Sequence, residues 1–344
     1  WLYDMRPQGY LGRAYAARHG TELGLPERLN EWSDTHALRA LLAQGHDLVG
    51  NLLVGDTARE RFLSAPSPAP IAEAQKLASY SRLAQDAARG EMPGSSAGGE
   101  QPKFTTYAIT PEGPRHVLVK FSEAEDNPVS ERWRDLLLAE HLALQTLRDA
   151  GLPAARTRIL DHGNQRFLEV DRFDRFGTLG RRAVISLAAF DAEFVGAGNA
   201  GWPSITHRLA VDGHIRPQAA EGSQLLWAFG TLIGNTDMHN GNLSFISEHG
   251  HPYELAPAYD MTPMAFAPRS GGGMADTLSE ANIHASVPND TWRDALEIAR
   301  AFVATIREDD RFSQRFAECI RSLIKQTELA KAKIERLEST SSRH

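Results

Sequence analysis

Residues 233–243 read IGNTDMHNGNL. The run before them, QLLWAFGTL at 224–232, has the composition of a helix, and the run after them, LSFI at 243–246, that of a strand. Between two apolar elements the chain places one aspartate, one histidine and three asparagines. Asn, Asp and Gly favour any turn at a helix end, because their side chains bond the local backbone or tolerate left-handed conformations. The spacing Asp237-x-x-x-x-Asn242 admits a second reading. Phosphoryl transfer uses an aspartate to orient the acceptor hydroxyl and an asparagine five residues on to hold magnesium. Asp260, in ELAPAYDMTP, comes after the hairpin that begins past Asn242 and supplies a second hard oxygen where a hairpin returns the chain. Its plainer role would be to cap a turn.

Three stretches upstream fit the same chemistry. Lys120 lies in VLVKFS, an apolar strand, where a lysine needs either a solvent-facing edge or an anionic partner. Glu131 or Glu140, on the next helix, could hold it in place. The loop GSSAGGEQPKF at 94–104 offers Gly98 and Gly99 for close backbone approach to phosphate, and it ends at a strand with Gln101 and Lys103. It matches neither standard phosphate-loop pattern, and a flexible linker has similar composition. Ser95 and Ser96 in that loop are candidate phosphorylation sites. LEVDRFDRFG at 168–177 joins the two halves where a hinge contacting a base would lie, or where a charged, solvated connector would serve. His239 either touches phosphate or caps the turn.

The remaining chain supports two lobes. Its 344 residues exceed one small core, and 42% hydrophobic with 24% charged residues is ordinary for a globular protein. A net charge of −7 argues against a phosphate-gripping nucleic-acid surface, and the longest apolar run, LLWAFGTLIG, is about half of what a bilayer needs. One cysteine, Cys319, excludes an internal disulfide and fits a reducing cytoplasm. Residues 1–64 alternate short helical patterns, with 41–63 reading as a helix end, a turn and a strand. SAPSPAP at 64–70 reads as a linker and 71–89 as a helix. FTTYAIT and HVLVKFS form a hairpin, and Asn127-Pro128 opens an amphipathic helix that stops at Gly151. TRILDHG and QRFLEVDRF pair as strands. Beyond about residue 184 the patterns are helical apart from a hairpin at LSFISEHGHPYEL, and 289–337 reads as two helices.

Assembled in this order, GGEQPKF, LVKFS, VDRFDR, IGNTDMHNGNLSFI and PAYDM resemble the HipA family of bacterial toxin serine/threonine kinases, over roughly residues 40–340. LYDMRPQGYLGR, near the start, is similar to one branch of that family whose members carry an extra region, a helix-turn-helix, ahead of this point. The resemblance implies an α+β, two-lobed, protein-kinase-like fold. In it, 1–64 would be an N-terminal subdomain of the N-lobe, 65–175 the ATP-binding N-lobe with its Gly-rich loop, and 176–344 a helical C-lobe. It further implies that Asp237 is the catalytic aspartate, and that Asn242 and Asp260 ligate magnesium. Lys120 would contact ATP phosphates, while Asp171 and Phe173 meet adenine through backbone groups. Ser95 or Ser96 would be autophosphorylated, ejecting the loop from the ATP site. The implied substrate is a protein, such as a translation factor or an aminoacyl-tRNA synthetase. The implied partner is a small DNA-binding antitoxin, with DNA reached only through that partner or through the extra region ahead of Trp1. Three other readings fit parts of the pattern: a small-molecule or lipid kinase, a magnesium-dependent nuclease, and a transcription regulator with a kinase-like sensor body.

Overall fold

A computed structural model describes residues 2–88, 101–198, 200–269 and 271–341. Ser95, Ser96, Gly98 and Gly99 lie outside them. The chain forms two compact units, one of residues 1–121 and 160–185, the other of 122–159 and 186–344.

The first unit opens with three helices, α1 (Gly9–Leu23), α2 (Asp34–Gln44) and α3 (Asp56–Ser64). Two small clusters hold α1 and α2. One joins Ala16, Leu25, Trp32 and Ala40, the other Met5, Leu41 and Leu48. The strand expected within 41–63 is absent: 45–55 is irregular and the segment after it is α3. The run LVGNLL has apolar residues but no partner strand. DTARERFLS after it contains the good helix formers Ala58, Arg59, Glu60, Arg61 and Leu63, with Asp56 in the first turn, where a carboxylate meets the positive end of the helix.

A fourth helix, α4 (Lys76–Ala88), packs on a sheet of order β1-β2-β4-β3, with β1 Lys103–Thr110, β2 Gly113–Phe121, β3 Thr157–His162 and β4 Gln165–Asp171. β1 and β2 form the expected hairpin, with Gly113 at φ +100° completing its tight turn. The apolar face carries Phe104, Val117, Val119, Phe121 and Phe167 against Tyr80 and Ala84 of α4. Ile71 bridges the outer edge of β1, its N–H donating to the Tyr107 carbonyl at 2.9 Å. Short strands β5 (Arg175–Phe176) and β6 (Gly180–Arg181) come next, then β7 (Ala183–Ser186).

The second unit is mainly helical: α5 (Pro128–Asp149), α6 (Leu187–Phe190), α7 (Trp202–Val211), α8 (Pro217–Leu232), α9 (Asn289–Glu308) and α10 (Ala317–Ser341). The hairpin β8 (Ser244–Ser247) and β9 (Glu254–Leu255) lies where the sequence placed it. α5 begins as its sequence dictates. Asn127 Oδ1 accepts from the N–H groups of Val129 and Ser130 at 3.0 and 2.9 Å, and Pro128 occupies the first turn. The helix is more enclosed than an amphipathic pattern implies, because residues 135 through 140 are all buried. α9 packs against α5, α8 and α10, with Phe229 and Phe302 edge-to-face at 6.0 Å. Among the described residues no helix is long and apolar enough to cross a membrane.

Candidate active site

The polar turn caps α8. Gly234 adopts φ +75°, and the Asn235 N–H closes back on the Gly230 carbonyl at 2.8 Å. Gly230 also makes room for Met238, since a Cβ at position 230 would sit 2.3 Å from the Met238 Sδ. Within the turn the side chains bond one another's backbone. Asn235 Oδ1 accepts the Asp237 N–H at 3.1 Å, Asn242 Nδ2 donates to the Asp237 carbonyl at 2.8 Å, and His239 Nδ1 accepts the Gly241 N–H at 3.0 Å. Asp237 is therefore gripped on both sides by asparagine amides. Trp202 Nε1 donates to the His239 carbonyl at 3.2 Å and Tyr259 Oη donates to the Gly241 carbonyl at 2.9 Å. These two bonds tie the turn to α7 and to the segment after β9.

That segment ends at Asp260, the one non-glycine residue with positive φ (54°) among the described residues. Left-handed backbone at a residue with a Cβ costs free energy, and asparagine and aspartate bear it best. The Asp260 carbonyl accepts Asn235 Nδ2 at 3.1 Å, and two residues on Thr262 Oγ1 donates to Glu140 Oε2 of α5 at 3.0 Å. Glu140 is 1% exposed. Glu131 lies elsewhere on α5, with Arg315 Nε 3.5 Å from its carboxylate. α5 holds the next loop as well: Arg132, 4% exposed, donates to the carbonyls of Phe266 and Ala275 at 2.9 and 3.0 Å. The structure thus brings Asp237, Asn242 and Asp260 into one hydrogen-bonded assembly. Asn235 and Glu140 secure it, and residue type and spacing assign neither of them a role in the turn. Asn235 stands two residues before an aspartate, the spacing of an Asx-turn, which is the signal it carries in the sequence.

In the first unit Lys103 and Lys120 lie directly opposite one another on β1 and β2, 2% and 4% exposed. Strand alternation puts both on the face away from α4, because their neighbours Phe104 and Val119 point into the core. A solvent-facing edge position for Lys120 is overturned: β2 is an inner strand and the lysine is buried. Like charges directly opposite one another repel. Gln101 is half-buried just ahead of β1. On the other face, Glu169 of β4 accepts from Tyr80 Oη at 2.5 Å and pairs with Lys76 Nζ at 2.9 Å.

Asp171 ends β4 opposite Val117, and Phe173 comes next in a turn whose Arg172 N–H donates to the His116 carbonyl at 2.9 Å. The connector is neither simple nor solvated. Asp174 accepts from Arg172 at 3.0 and 2.9 Å, from Arg175 Nη1 at 2.6 Å and from the Gly50 N–H at 3.2 Å. Burial pushes the Asp174 carboxyl up, but Arg172 and Arg175 outweigh it and hold the group at about 2.

The donors fit a hard divalent cation. Asn242 commits its amide nitrogen to Asp237, which leaves Oδ1 as an acceptor, and Asp260 adds a carboxylate. No cluster of three His, Cys, Asp or Glu occurs among the described residues. Magnesium is commonly held by one or two protein oxygens with the rest of its shell from phosphates and water, whereas an all-protein cage would need more.

Comparison with known proteins shows the family and the fold. Residues 95–330 match the HipA-like C-terminal domain, and residues 1–63 the middle domain of YjjJ-like toxins. The chain is 41% identical over 339 residues to Toxin YjjJ of Escherichia coli (strain K12), covering 98% of this chain and 76% of that protein. The HipA of Shewanella oneidensis MR-1, solved with HipB and operator DNA, superposes with a TM-score of 0.59 at 18% identity, over 95% of this chain and 85% of the other. The architecture is the two-lobed, kinase-like α+β fold of HipA, and the chain belongs to the HipA-like family.

Proposed function

We propose that this protein is a Mg-ATP-dependent serine/threonine protein kinase that acts as the toxin of a toxin–antitoxin pair. The carrying observation is the assembly of Asp237, Asn242 and Asp260 through Asn235. Asp237 orients the acceptor hydroxyl and takes its proton. Asn242 and Asp260 would hold magnesium, which offsets charge on the transferring phosphoryl group when bound. Lys120 and Lys103 receive ATP phosphates. Gln101, Gly98 and Gly99 belong to the loop that covers them, and Asp171 and Phe173 meet the base through backbone groups. His239 serves the turn by capping it, with any phosphate contact secondary. Catalysis on this plan is positioning and charge neutralisation.

The name of the E. coli relative supports the toxin role, and the complex of the Shewanella HipA with HipB and operator DNA supports a DNA-binding antitoxin as partner. The protein would act in the cytoplasm on a protein substrate. It would limit itself by phosphorylating Ser95 or Ser96, because a phosphoserine adds about −1.5 to −2 charges beside the triphosphate site.

Peptide mass spectrometry after incubation with Mg-ATP tests this reading. Phosphate on the 95–96 peptide of the wild type, and none on Asp237→Asn, is the expected result. Equal phosphorylation of the two proteins, or DNA nicking without ATP, would overturn it.

A further inference from the structure

We infer that Asn235 is the positioning residue that sets Asp260 relative to Asp237, and so governs divalent-cation affinity in the proposed kinase site. This rests on the kinase reading above. One primary amide spans two loops: its Oδ1 takes the Asp237 N–H at 3.1 Å and its Nδ2 gives to the Asp260 carbonyl at 3.1 Å, 25 residues on. The Asp237 N–H can only donate, so it forces the oxygen end of the amide toward itself and the nitrogen end toward Asp260. The residue is 5% exposed, so water has little access to replace either bond.

The bond falls on the residue that most needs holding. Asp260 sits at φ 54°, and its carboxylate direction depends on that backbone conformation. With its carbonyl released, the residue can relax toward the extended or right-handed region, which re-aims the carboxylate. The bonds of Tyr259 to Gly241 and of Thr262 to Glu140 restrain the residues on either side, while the Asn235 amide acts on the Asp260 carbonyl directly. No aliphatic side chain supplies both ends, and an aspartate supplies only one.

Asn235→Asp separates the two halves. It keeps an acceptor for the Asp237 N–H and places a carboxylate oxygen against the Asp260 carbonyl. The test is an EPR titration of the full chain with Mn²⁺ in saturating ADP, beside ADP affinity measured without metal and a thermal melt. The expected result is Mn²⁺ binding weakened about tenfold, with metal-free ADP affinity unchanged; a half-saturating concentration does not depend on how much of the sample is folded. Asn235→Ala, which removes both ends, decides the matter by the same titration if the first variant does not fold, with at least the same weakening expected. Wild-type Mn²⁺ affinity in either folded variant would overturn the positioning role alone. A wild type that binds neither ADP nor Mn²⁺-ADP would overturn the kinase reading and this inference together.

Discussion

Replacing Asp174 by asparagine should be among the most destabilising single changes in the first unit, although the residue lies in what reads as a charged surface connector. The Asp174 side chain is 9% exposed, that of Arg175 3% and that of Arg172 8%. Asparagine preserves volume but removes the buried charge that the two guanidinium groups share. Arg175 Nη2 would retain Asp47 at 3.0 Å and Arg172 Nη1 would retain it at 3.9 Å, but the Asp47 side chain is 51% exposed, so water and salt screen it. Removing one partner of a buried ion pair costs about 3–5 kcal/mol, because the remaining charge stays desolvated. Asp47→Asn, at the wet rim of the same cluster, should cost under about 1 kcal/mol. Urea unfolding monitored by far-UV circular dichroism measures both, as a lower midpoint at unchanged slope. In heat the first change corresponds to a drop of about 10 °C. Acid should reproduce it. Because the folded carboxyl is held at about 2, below its ordinary 3.8, its contribution is complete above about pH 4 and is lost as pH falls toward 2. A loss below about 1 kcal/mol for Asp174→Asn, or equal losses at 174 and 47, would refute the argument from burial.

Buried charge elsewhere sets two further outcomes. Burial, then Arg311 and Arg148, lowers His141 of α5 to about 4, and its Nδ1 lies 2.8 Å from Thr157 Oγ1. The unfolded chain takes up this proton near pH 6.5 and the folded one does not, so stability should fall between pH 6.5 and 4 by up to about 1.4 kcal/mol per pH unit. His141→Gln should flatten the melting-temperature profile in that window, and parallel wild-type and variant profiles would count against the assignment. Lys120→Met should abolish most of the thermal stabilisation by ATP, about 2.7 kcal/mol for the wild type at a hundred times Kd; a shift equal to wild type would exclude Lys120 from the phosphate site.

Much of the fold was legible wherever a bond closes within a few residues. The Asn127-Pro128 start of α5, the β1–β2 turn at Gly113 and the β8–β9 hairpin are all local contacts, and each lies where its residues point. The expectation of a strand in 41–63 failed because an apolar run becomes a strand only when another strand pairs with it, and α3 formed from the helix formers beyond. The site divided in the same way. The sequence marked Asp237, Asn242, Asp260 and Lys120 by type and spacing. It left Lys120 between an exposed edge and a buried face, and it left Glu131 and Glu140 equal.

What the sequence by itself determined is therefore the set of elements and the residue types gathered at the polar turn, since caps, turns and hairpins are settled by hydrogen bonds between near neighbours. The tertiary structure alone decided that Lys103 faces Lys120, that Asp174 sits between two arginines and that Asn235 reaches Asp260. Register and burial arise from contacts between segments tens of residues apart, which side-chain type and spacing do not encode. The same distance explains why Asn235 reads as one more turn residue: its second bond exists only once the chain has returned through β8 and β9.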